Sequence, residues 1–528
     1  MADADYIIVG AGSAGCALAY RLSQNPRISV LLIEAGGAAS SPFITMPRGV
    51  AKSIYDRSLT WETPVKFCGD EKRSETWISG RVMGGSSSIN GMTYFRGSPE
   101  KYDEIKLSGW DWAKMSHVYR EMESNEMADG SVEGSGPLRI SQRGLHDQIY
   151  EDFIKAMSTF GIRRVDDMNA ASGEVVGYQP RTIWRGRRQS AAKAFIEPAS
   201  RRSNLRVRHS TRALRVVFEG SRATGVLVRD RSGERTLFAG REVILSLGAL
   251  NTPKLLMLSG IGPAQHLSSM GIPVVKDVSG VGENLADHRL LNVGYRVSHG
   301  SHNSQFRYPR LLKNVAQYGL FGTGPLTTPV FEVATLLKSD LSAALPDGKI
   351  SFGAYLAERG DDKVVVGSAP GATALCYQTY PRSRGRLRLL SSDPRSHLDI
   401  VPNYLSDEHD HRISVQIFKR LRQIMKNKSL AGYQPQELLP CGEVETDDEI
   451  IDLYIRFGAP GLHTVGTCRM GEDDLAVVNS KLHLRGVEGL RVADLSVLPH
   501  QVSSNSNAPA MAIGWRAAQI ILESGLTT

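Results

Sequence analysis

The fold is decided by the stretch Tyr6-Ile-Ile-Val-Gly-Ala-Gly-Ser-Ala-Gly15, close to the start of the chain. The apolar run before Gly10 predicts a short buried strand, and the Ala- and Leu-rich segment after Gly15 predicts a helix. A second apolar run follows at Val30–Ile33. A strand, a tight turn, a helix and a second buried strand predict a βαβ unit with a parallel sheet.

Each glycine of the Gly10-x-Gly12-x-x-Gly15 pattern has its own expected task. The first permits the tight turn, the second lets the backbone approach a pyrophosphate, and the third lets helix and strand pack closely. Glu34 ends the second strand, where a carboxylate accepts hydrogen bonds from ribose hydroxyls and repels a 2′-phosphate. The stretch therefore predicts a dinucleotide site and disfavours NADP, but it does not choose between FAD and NAD.

Length, composition and charge narrow the class of protein. With 528 residues the chain is long for one core, which predicts two domains or one enzyme of two parts. Its 52 glycines exceed the usual share, as expected where backbone approaches a nucleotide closely. The net charge of +8 comes from scattered basic residues, so we expect no nucleic-acid partner.

The cysteines and the apolar runs exclude other classes. Five cysteines without a CxxC pair predict no disulfide framework and no metal site. The acidic start lacks the basic head of a secretory leader, and no apolar run reaches the ~18 residues of a membrane span. We expect a cytoplasmic protein without an integral membrane span, and peripheral attachment to the inner face of the membrane stays open.

Further motifs follow in order along the chain. Gly80–Thr93 and Gly248–Gly262 read as loops of small residues, and Gly280-Val-Gly-Glu-Asn-Leu-Ala-Asp-His288 follows them. His463-Thr-Val-Gly-Thr-Cys-Arg-Met-Gly471 and Asn505-Ser-Asn-Ala-Pro509 stand near the end. Together with the first glycine loop, these motifs resemble the glucose–methanol–choline (GMC) oxidoreductase family. Within it the chain looks most like bacterial choline dehydrogenases and medium-chain alkanol dehydrogenases.

The resemblance implies an α/β fold, α+β overall. It implies a Rossmann-type FAD-binding domain that interleaves with a substrate domain built on a largely antiparallel sheet with helices. We expect the FAD-binding domain in residues 1–155, 191–290 and 441–528, the last with the catalytic C-terminal segment. The substrate domain is expected in residues 156–190 and 291–440.

The resemblance also implies FAD as the cofactor, held without a covalent bond. Some relatives attach FAD through a histidine where this chain has Ile89, which offers no nucleophilic nitrogen. The residues expected at the cofactor are Gly10, Gly12, Ser13, Ala14, Gly15, Glu34, Ala35, Met83, Gly84, Gly85, Ser88, Asn90, Gly91, Met92, Ala213, Ala493, Asp494, Asn505 and Pro509.

Oxidising an alcohol requires a base for the hydroxyl proton and an acceptor for the hydride. His463 matches the family's catalytic histidine, and Asn507 matches its partner, which orients the substrate oxygen. Asn505 competes with Asn507 for that role. We expect His288 to pack near the nucleotide and His500 to lie beside the C-terminal loop.

The function implied is FAD-dependent oxidation of a primary alcohol to an aldehyde, with a dehydrogenase favoured over an oxidase. Alternatives within the family are a polyol or sugar oxidoreductase, an aromatic-carbinol oxidase and a flavin-containing cyanohydrin lyase. The electron acceptor is left open between oxygen, a quinone and an electron-transfer protein.

Overall fold

The computed structural model describes residues 2–68, 70–359, 364–438, 442 and 444–524. The predicted βαβ unit forms the centre of a seven-stranded sheet. In spatial order its strands are Leu205–Arg208, Val30–Ile33, Ala4–Val9, Gly233–Leu245, Arg222–Asp230 and Arg212–Glu219, with Leu490–Val492 paired beside Gly233–Leu245. The first four strands and Leu490–Val492 run parallel, as the buried apolar runs predict.

The second large sheet has eight strands and is almost entirely antiparallel. Its order is Gln436–Glu437, Arg289–Arg296, Gly371–Gln378, Gly348–Gly353, Val333–Leu337, Val175–Tyr178 and Arg163–Arg164, with Ala459–Pro460 beside Arg289–Arg296. The pair Arg163–Arg164 and Val175–Tyr178 is parallel. A Rossmann-type sheet and a largely antiparallel sheet in one interleaved chain confirm the predicted fold class.

Helices cover both sheets. Those of eight residues or more are Ser13–Leu22, Trp112–Met122, Gln148–Ser158, Gly248–Leu258, Arg310–Phe321, Glu408–Met425, Asp447–Phe457 and Asn507–Ser524. Shorter α-helices are Pro42–Thr45, Val50–Ser53, Pro99–Asp103, Glu197–Ala199 and Ala264–Ser269. Helix Ser13–Leu22 packs along the terminal helix Asn507–Ser524, so the two ends of the chain meet at the first glycine loop.

Smaller sheets complete the structure. Thr60–Phe67 pairs with Asp70–Gly80, and Glu123–Glu126 lies between Val132–Glu133 and Leu138–Ser141. The two-stranded pairs are Ile183–Trp184 with Arg187–Arg188, Ile261–Gly262 with Lys276–Asp277, Ala357–Arg359 with Val364–Val366, and Arg386–Leu389 with Leu398–Val401.

The two sheets have separate hydrophobic cores, which suggest revised domain boundaries. Helices Gln148–Ser158 and Asp447–Phe457 pack in the core of the eight-stranded sheet. The pair Arg386–Leu389 and Leu398–Val401 packs in the core of the seven-stranded sheet. We propose that the first two segments belong to the substrate domain and the third to the FAD-binding domain. This moves two boundaries of the sequence-based division and adds a segment of the FAD-binding domain within residues 291–440.

The secondary structure of one segment differs from the prediction. Residues 248–262 read as a loop of small residues, but Gly248–Leu258 forms a helix. Leu255, Leu256 and Met257 are buried in the core, and this burial outweighs Pro253 inside the helix.

Candidate active site

A cavity of about 580 Å³ lies between the two sheets. At one end it is lined by Glu34 and Ala213 of the seven-stranded sheet region, and at the other by Leu375 and Tyr377 of the eight-stranded sheet. His463 lines it between these sheets. The volume falls in the usual range for ligand sites. A long ligand can therefore bind the glycine loop and still reach the histidine.

The first glycine loop forms the floor of the cavity. Gly10 has a φ of +102°, and a Cβ there would lie 2.6 Å from the Ser246 carbonyl oxygen. A Cβ at Gly15 would lie 1.9 Å from the Gly10 carbonyl oxygen, so helix and turn touch there. A Cβ at Gly12 would meet nothing nearer than 3.9 Å, although the residue lines the cavity. Gly12 thus leaves bare backbone facing the ligand space.

Glu34 has partners that the sequence did not suggest. Its Oε2 accepts a hydrogen bond from the Ala11 amide at 3.0 Å, and its Oε1 accepts one from the Gly36 amide at 2.8 Å. Burial raises the pKa of this carboxyl, while the backbone donors oppose that rise. The side chain therefore fixes the glycine loop and also borders the cavity.

The second small-residue loop packs on the first. A Cβ at Gly85 would lie 2.7 Å from the Gly12 Cα, so only a glycine fits between the loops. Asn90 is held by buried Arg188, whose Nη1 donates to its carbonyl oxygen at 2.7 Å and to its Oδ1 at 2.8 Å. Met92 follows with a φ of +64°. The loop thus turns sharply along the cavity wall.

Most of the residues expected at the cofactor line the cavity, and some lie behind its wall. Those in the wall are Gly10, Gly12, Ser13, Ala14, Glu34, Ala35, Gly85, Asn90, Gly91, Met92, Ala213, Asp494 and Asn505. Those outside the lining are Gly15, Met83, Gly84, Ser88, Ala493 and Pro509.

The residues outside the lining hold the loops in shape, and their contact with the cofactor stays a prediction. The Gly84 amide donates to the Ala11 carbonyl at 2.8 Å. The Ser88 hydroxyl donates to the Met83 carbonyl at 2.8 Å. The Ala493 amide donates to the Leu245 carbonyl at 2.8 Å, joining two strands.

His463 is placed by a buried carboxylate. Asp287 Oδ1 accepts from the His463 amide at 2.6 Å, and its Oδ2 accepts from the Leu462 amide at 3.2 Å and the Tyr404 hydroxyl at 2.6 Å. Leu462 has a φ of +57°, which is uncommon for a residue with a side chain. Burial raises the pKa of Asp287 to about 6. The carboxylate therefore stabilises the turn that presents the imidazole.

His288 lies against His463, a contact that the sequence did not suggest, and its place relative to the nucleotide stays a prediction. Its Nδ1 is 2.9 Å from His463 Nδ1, and its Nε2 donates to the Thr379 carbonyl at 2.8 Å. Because a carbonyl only accepts, the proton of neutral His288 is on Nε2 and its Nδ1 accepts from His463. His463 then carries its proton on Nδ1. Its Nε2 carries no proton and can accept a hydrogen bond.

Electrostatics keep both rings neutral. Burial lowers the pKa of His288 to about 4. Burial, with the nearby His288 and Lys349, holds the pKa of His463 well below its usual value. A neutral imidazole near neutral pH can accept a proton.

Asn505 continues the hydrogen-bond chain to a buried lysine. Lys349 Nζ donates to Asn505 Oδ1 at 2.5 Å, and Asn505 Nδ2 is 3.1 Å from His463 Nε2. The ammonium of Lys349 lies 4.0 Å from the centre of the Phe95 ring, and burial lowers the pKa of this lysine well below its usual value. His463 Nε2 carries no proton and can only accept, so the Asn505 amide turns its nitrogen to His463 and its oxygen to Lys349.

Asn507, the expected partner of His463, has a different neighbour. Its Oδ1 accepts from the Ser13 hydroxyl of the first glycine loop at 2.9 Å. Its buried Nδ2 has no hydrogen-bond partner among the described residues. The residue lines the cavity beside Asn505. The structure thus brings Asn505, rather than Asn507, into contact with the histidine.

Sequence reasoning did not place three residues of this arrangement at the catalytic histidine. Asp287 and His288 end the motif Gly280–His288, so an adjacent acid and histidine were the available signal. Lys349 lies in strand Gly348–Gly353 and carries no sequence signal, because its role comes from the pairing of distant segments.

The cavity fits a dinucleotide cofactor. A Cβ at Gly91 would meet nothing within 4 Å, so this wall residue, like Gly12, leaves space that the protein does not fill. The unpartnered Nδ2 of Asn507 is a donor for a group bound there. Ile89 is buried and has no atom for a covalent link. Fold and site together define a dinucleotide-binding oxidoreductase of two interleaved domains.

Comparison with known proteins gives the family. Two models described as GMC oxidoreductase match residues 4–290 and 381–514. An oxygen-dependent choline dehydrogenase of Sinorhizobium fredii is 36% identical over 532 residues, covering 98% of this chain and 96% of that protein. An alcohol dehydrogenase [acceptor] of Pseudomonas putida is 38% identical over 535 residues, covering 98% and 95%. The chain belongs to the GMC oxidoreductase family, and its cofactor is FAD.

Solved structures agree with this assignment. Pyridoxine 4-oxidase from Mesorbium loti superposes with a TM-score of 0.87 at 30% identity over 99% of each chain. Formate oxidase superposes with a TM-score of 0.91 over 99% of each chain, and at 24% identity it shows the shared fold.

Two further findings concern the predictions about membrane spans and disulfides. Among the described residues, no helix is long and apolar enough to cross a membrane. The cysteines at 16, 68, 376 and 468 are buried and free, whereas Cys441 lies outside the described residues.

Proposed function

We propose that this enzyme oxidises a primary alcohol to an aldehyde, with His463 Nε2 as the base for the hydroxyl proton. The observation that carries the proposal is the unprotonated Nε2 of a neutral, half-buried imidazole at the cavity wall. FAD, when bound, supplies the acceptor for the hydride that leaves the alcohol carbon.

The residues around His463 have distinct proposed tasks. Asn505 Nδ2 occupies the lone pair of Nε2, so an entering hydroxyl displaces or shares this contact. The freed amide N–H can then donate to the substrate oxygen while His463 takes the proton. Asn507 Nδ2 offers a second donor, in line with the orienting role expected from the family.

We propose a neutral alcohol with an apolar or aromatic group as the substrate class. The cavity end in the eight-stranded sheet is lined by Leu290, Phe331, Leu375 and Tyr377. Among the described lining residues the carboxylates are Glu34, which binds the glycine loop, and Asp494. Asp494 is likewise occupied by the Gly248 amide and the Thr252 hydroxyl.

A cationic alcohol is therefore a poor candidate, although several relatives are named choline dehydrogenases. Lys349 lies behind Asn505 and disfavours a further positive charge near His463. An uncharged aromatic or aliphatic alcohol avoids this cost, since its group is buried against apolar side chains.

The test is anaerobic mixing of the purified holoenzyme with a panel of alcohols, followed by the absorbance of oxidised flavin. We expect bleaching by benzylic or medium-chain primary alcohols and much weaker bleaching by choline. No bleaching by any alcohol contradicts the oxidation and favours the lyase. Preference for choline contradicts the substrate class alone.

We further propose a dehydrogenase, supported by the acceptor-dependent alcohol dehydrogenase of Pseudomonas putida among its relatives. Turnover of the best alcohol is measured once with an artificial dye and once with oxygen alone. Peroxide formed as fast as the dye is reduced would identify an oxidase instead.

A further inference from the structure

Helix Arg310–Phe321 exposes an apolar face to solvent. Leu312, Val315, Ala316, Gly319 and Leu320 follow the i, i+3, i+4, i+7, i+8 spacing of one helical face, and all are exposed. In a helix of a globular protein such a stripe normally packs against the core. In this helix the buried residue is instead the polar Asn314. Its Nδ2 donates to the Gln305 carbonyl at 2.6 Å.

The apolar face extends beyond the helix at both ends. Tyr308 precedes it at 81% exposure, and Phe321 ends it at 73% exposure. Together with Leu312, Val315 and Leu320, these are the exposed bulky apolar side chains of the segment, and we call this set the 308–321 face. Contiguous exposed apolar side chains mark binding surfaces, whereas single ones are common and need no explanation.

The charged residues of this segment all have one sign. Arg307, Arg310 and Lys313 are exposed in or next to the helix, and residues 301–331 contain no aspartate or glutamate. The turn with exposed Arg185 and Arg187 packs against the helix end, where a Cβ at Gly186 would lie 2.2 Å from the Gly322 carbonyl oxygen. Five exposed basic residues thus lie in this segment or in the turn packed against its end.

We propose that the 308–321 face docks this enzyme on an anionic lipid surface. A helix with bulky apolar residues on one side and basic residues beside them lies in the headgroup region of a bilayer, with its apolar side in the acyl boundary. The basic residues are attracted by anionic headgroups, each by about 1 kcal/mol, or about fivefold in binding.

The place of the face in the fold agrees with docking. The chain that leaves the helix reaches Val330 and Phe331, which line the substrate end of the cavity. Arg48 joins this segment to the body of the protein, donating to the Thr328 hydroxyl at 3.2 Å and lying over the Phe306 ring at 4.6 Å. The docking face and the substrate end of the cavity therefore belong to one continuous segment, whichever alcohol the enzyme oxidises.

The experiment is sedimentation of the holoenzyme with vesicles of phosphatidylcholine, with and without phosphatidylglycerol, at low and high salt. We expect binding to the anionic vesicles that weakens with salt. The double variant Leu312→Ser/Leu320→Ser should bind about tenfold or more weakly. The double variant Arg307→Gln/Lys313→Gln should lose about fivefold for each charge removed.

The matched control is Leu341→Ser/Leu390→Ser, which removes two exposed leucines outside the face and should bind like the wild type. All variants are checked for flavin absorbance and thermal midpoint. A wild type that does not bind anionic vesicles overturns the proposal, as do apolar variants that bind unchanged. A face that mediates self-association would show as a dimer that Leu312→Ser/Leu320→Ser converts to a monomer, without vesicle binding.

Discussion

At the scale of single residues, the hydrogen bonds of His463 specify its chemistry. The Thr379 carbonyl at one end of this chain can only accept, and Lys349 Nζ at the other end donates to Asn505 Oδ1. Every proton between them is therefore assigned, through His288, His463 and Asn505. This chain, rather than the histidine alone, explains why Nε2 faces the cavity without a proton.

Replacing His463 tests the base directly. We expect His463→Ala to retain bound flavin and to lose about 10²–10⁴-fold in kcat/KM, since this is the usual contribution of a general base. The measurements are the flavin absorbance spectrum and dye-coupled turnover of the best alcohol. Turnover close to that of the wild type would exclude His463 as the base.

His288 is a positioning residue. Two substitutions distinguish the effect of losing its hydrogen-bond acceptor from the effect of losing its size. His288→Ala leaves the His463 Nδ1 proton unpaired, so we expect about a tenfold to hundredfold lower kcat/KM from the misoriented ring. His288→Asn keeps an oxygen near the position of Nδ1 and should retain most of the activity. Equal losses in both variants would point to packing alone. The flavin content of both variants is the control.

Asn505 is tested by a substitution of the same shape. Asn505→Asp places a carboxylate at Lys349 and His463, which favours the protonated imidazole and raises its pKa. Because the wild-type pKa is well below 6.5, activity should hold down to pH values below 6.5 and fall there as the base is protonated. In Asn505→Asp this fall should begin at a higher pH. A pH profile of kcat/KM that coincides with the wild type would contradict the contact.

At the scale of elements, the two glycine loops form one unit. The helix that follows Gly12 begins at Ser13, whose hydroxyl donates to Asn507 at the start of the terminal helix. The first and last helices of the chain are thus coupled at the cavity floor. A substitution in this loop can weaken cofactor binding or destabilise the fold. The space around each glycine decides which of the two effects dominates.

A matched pair of glycine variants separates these effects. Gly15→Ala places a Cβ 1.9 Å from a backbone oxygen, so we expect a loss of about 3 kcal/mol or more in unfolding free energy. Gly12→Ala has room for its Cβ, so the protein should fold normally but retain less FAD. Thermal unfolding of flavin-free protein and the flavin content after gel filtration measure the two effects. Equal stability of both apoproteins would contradict this division.

At the scale of the whole molecule, two adjacent buried groups affect acid stability in opposite directions. His288 has a pKa of about 4, against 6.5 for an ordinary histidine, so below pH 6.5 the unfolded chain binds a proton that the folded chain does not. Its contribution to stability is present above pH 6.5 and is lost as the pH falls towards 4.

Asp287 acts the other way, with a pKa of about 6 against 3.8 for an ordinary aspartate. Between these values the folded chain binds the extra proton, so stability from this group rises as the pH falls from 6 towards 3.8. Each shift corresponds to about 3 kcal/mol. The two contributions therefore nearly cancel in the wild type.

Removing one of the two groups should reveal the pH dependence of stability that comes from the other. We expect Asp287→Asn to lose stability more steeply than the wild type between pH 6.5 and 4, because the opposing carboxyl is gone. His288→Asn should lose less over the same window. Unfolding in urea at a series of pH values measures both. Parallel stability curves for the wild type and the two variants would show that neither pKa is shifted on folding.

The local sequence by itself determined the parts that depend on short-range geometry. At residues 6–15, the buried strand, the glycine turn and the start of the helix depend only on interactions between neighbouring residues. The same holds for the position of Glu34 at the end of the next strand. The order of the motifs along the chain gave the family and FAD. Most of the residues predicted at the cofactor therefore line the cavity, and their contact with FAD stays a prediction.

The tertiary structure alone decided which distant groups meet at the reacting atoms. His288, Lys349 and Asn505 are separated by tens to hundreds of residues and touch His463 directly or in sequence only because the two sheets enclose one cavity. Likewise, the spacing of Leu312, Val315 and Leu320 is that of any amphipathic helix, and folding decides whether this face is buried or exposed. Burial and pairing across the chain arise from packing, which no local pattern encodes.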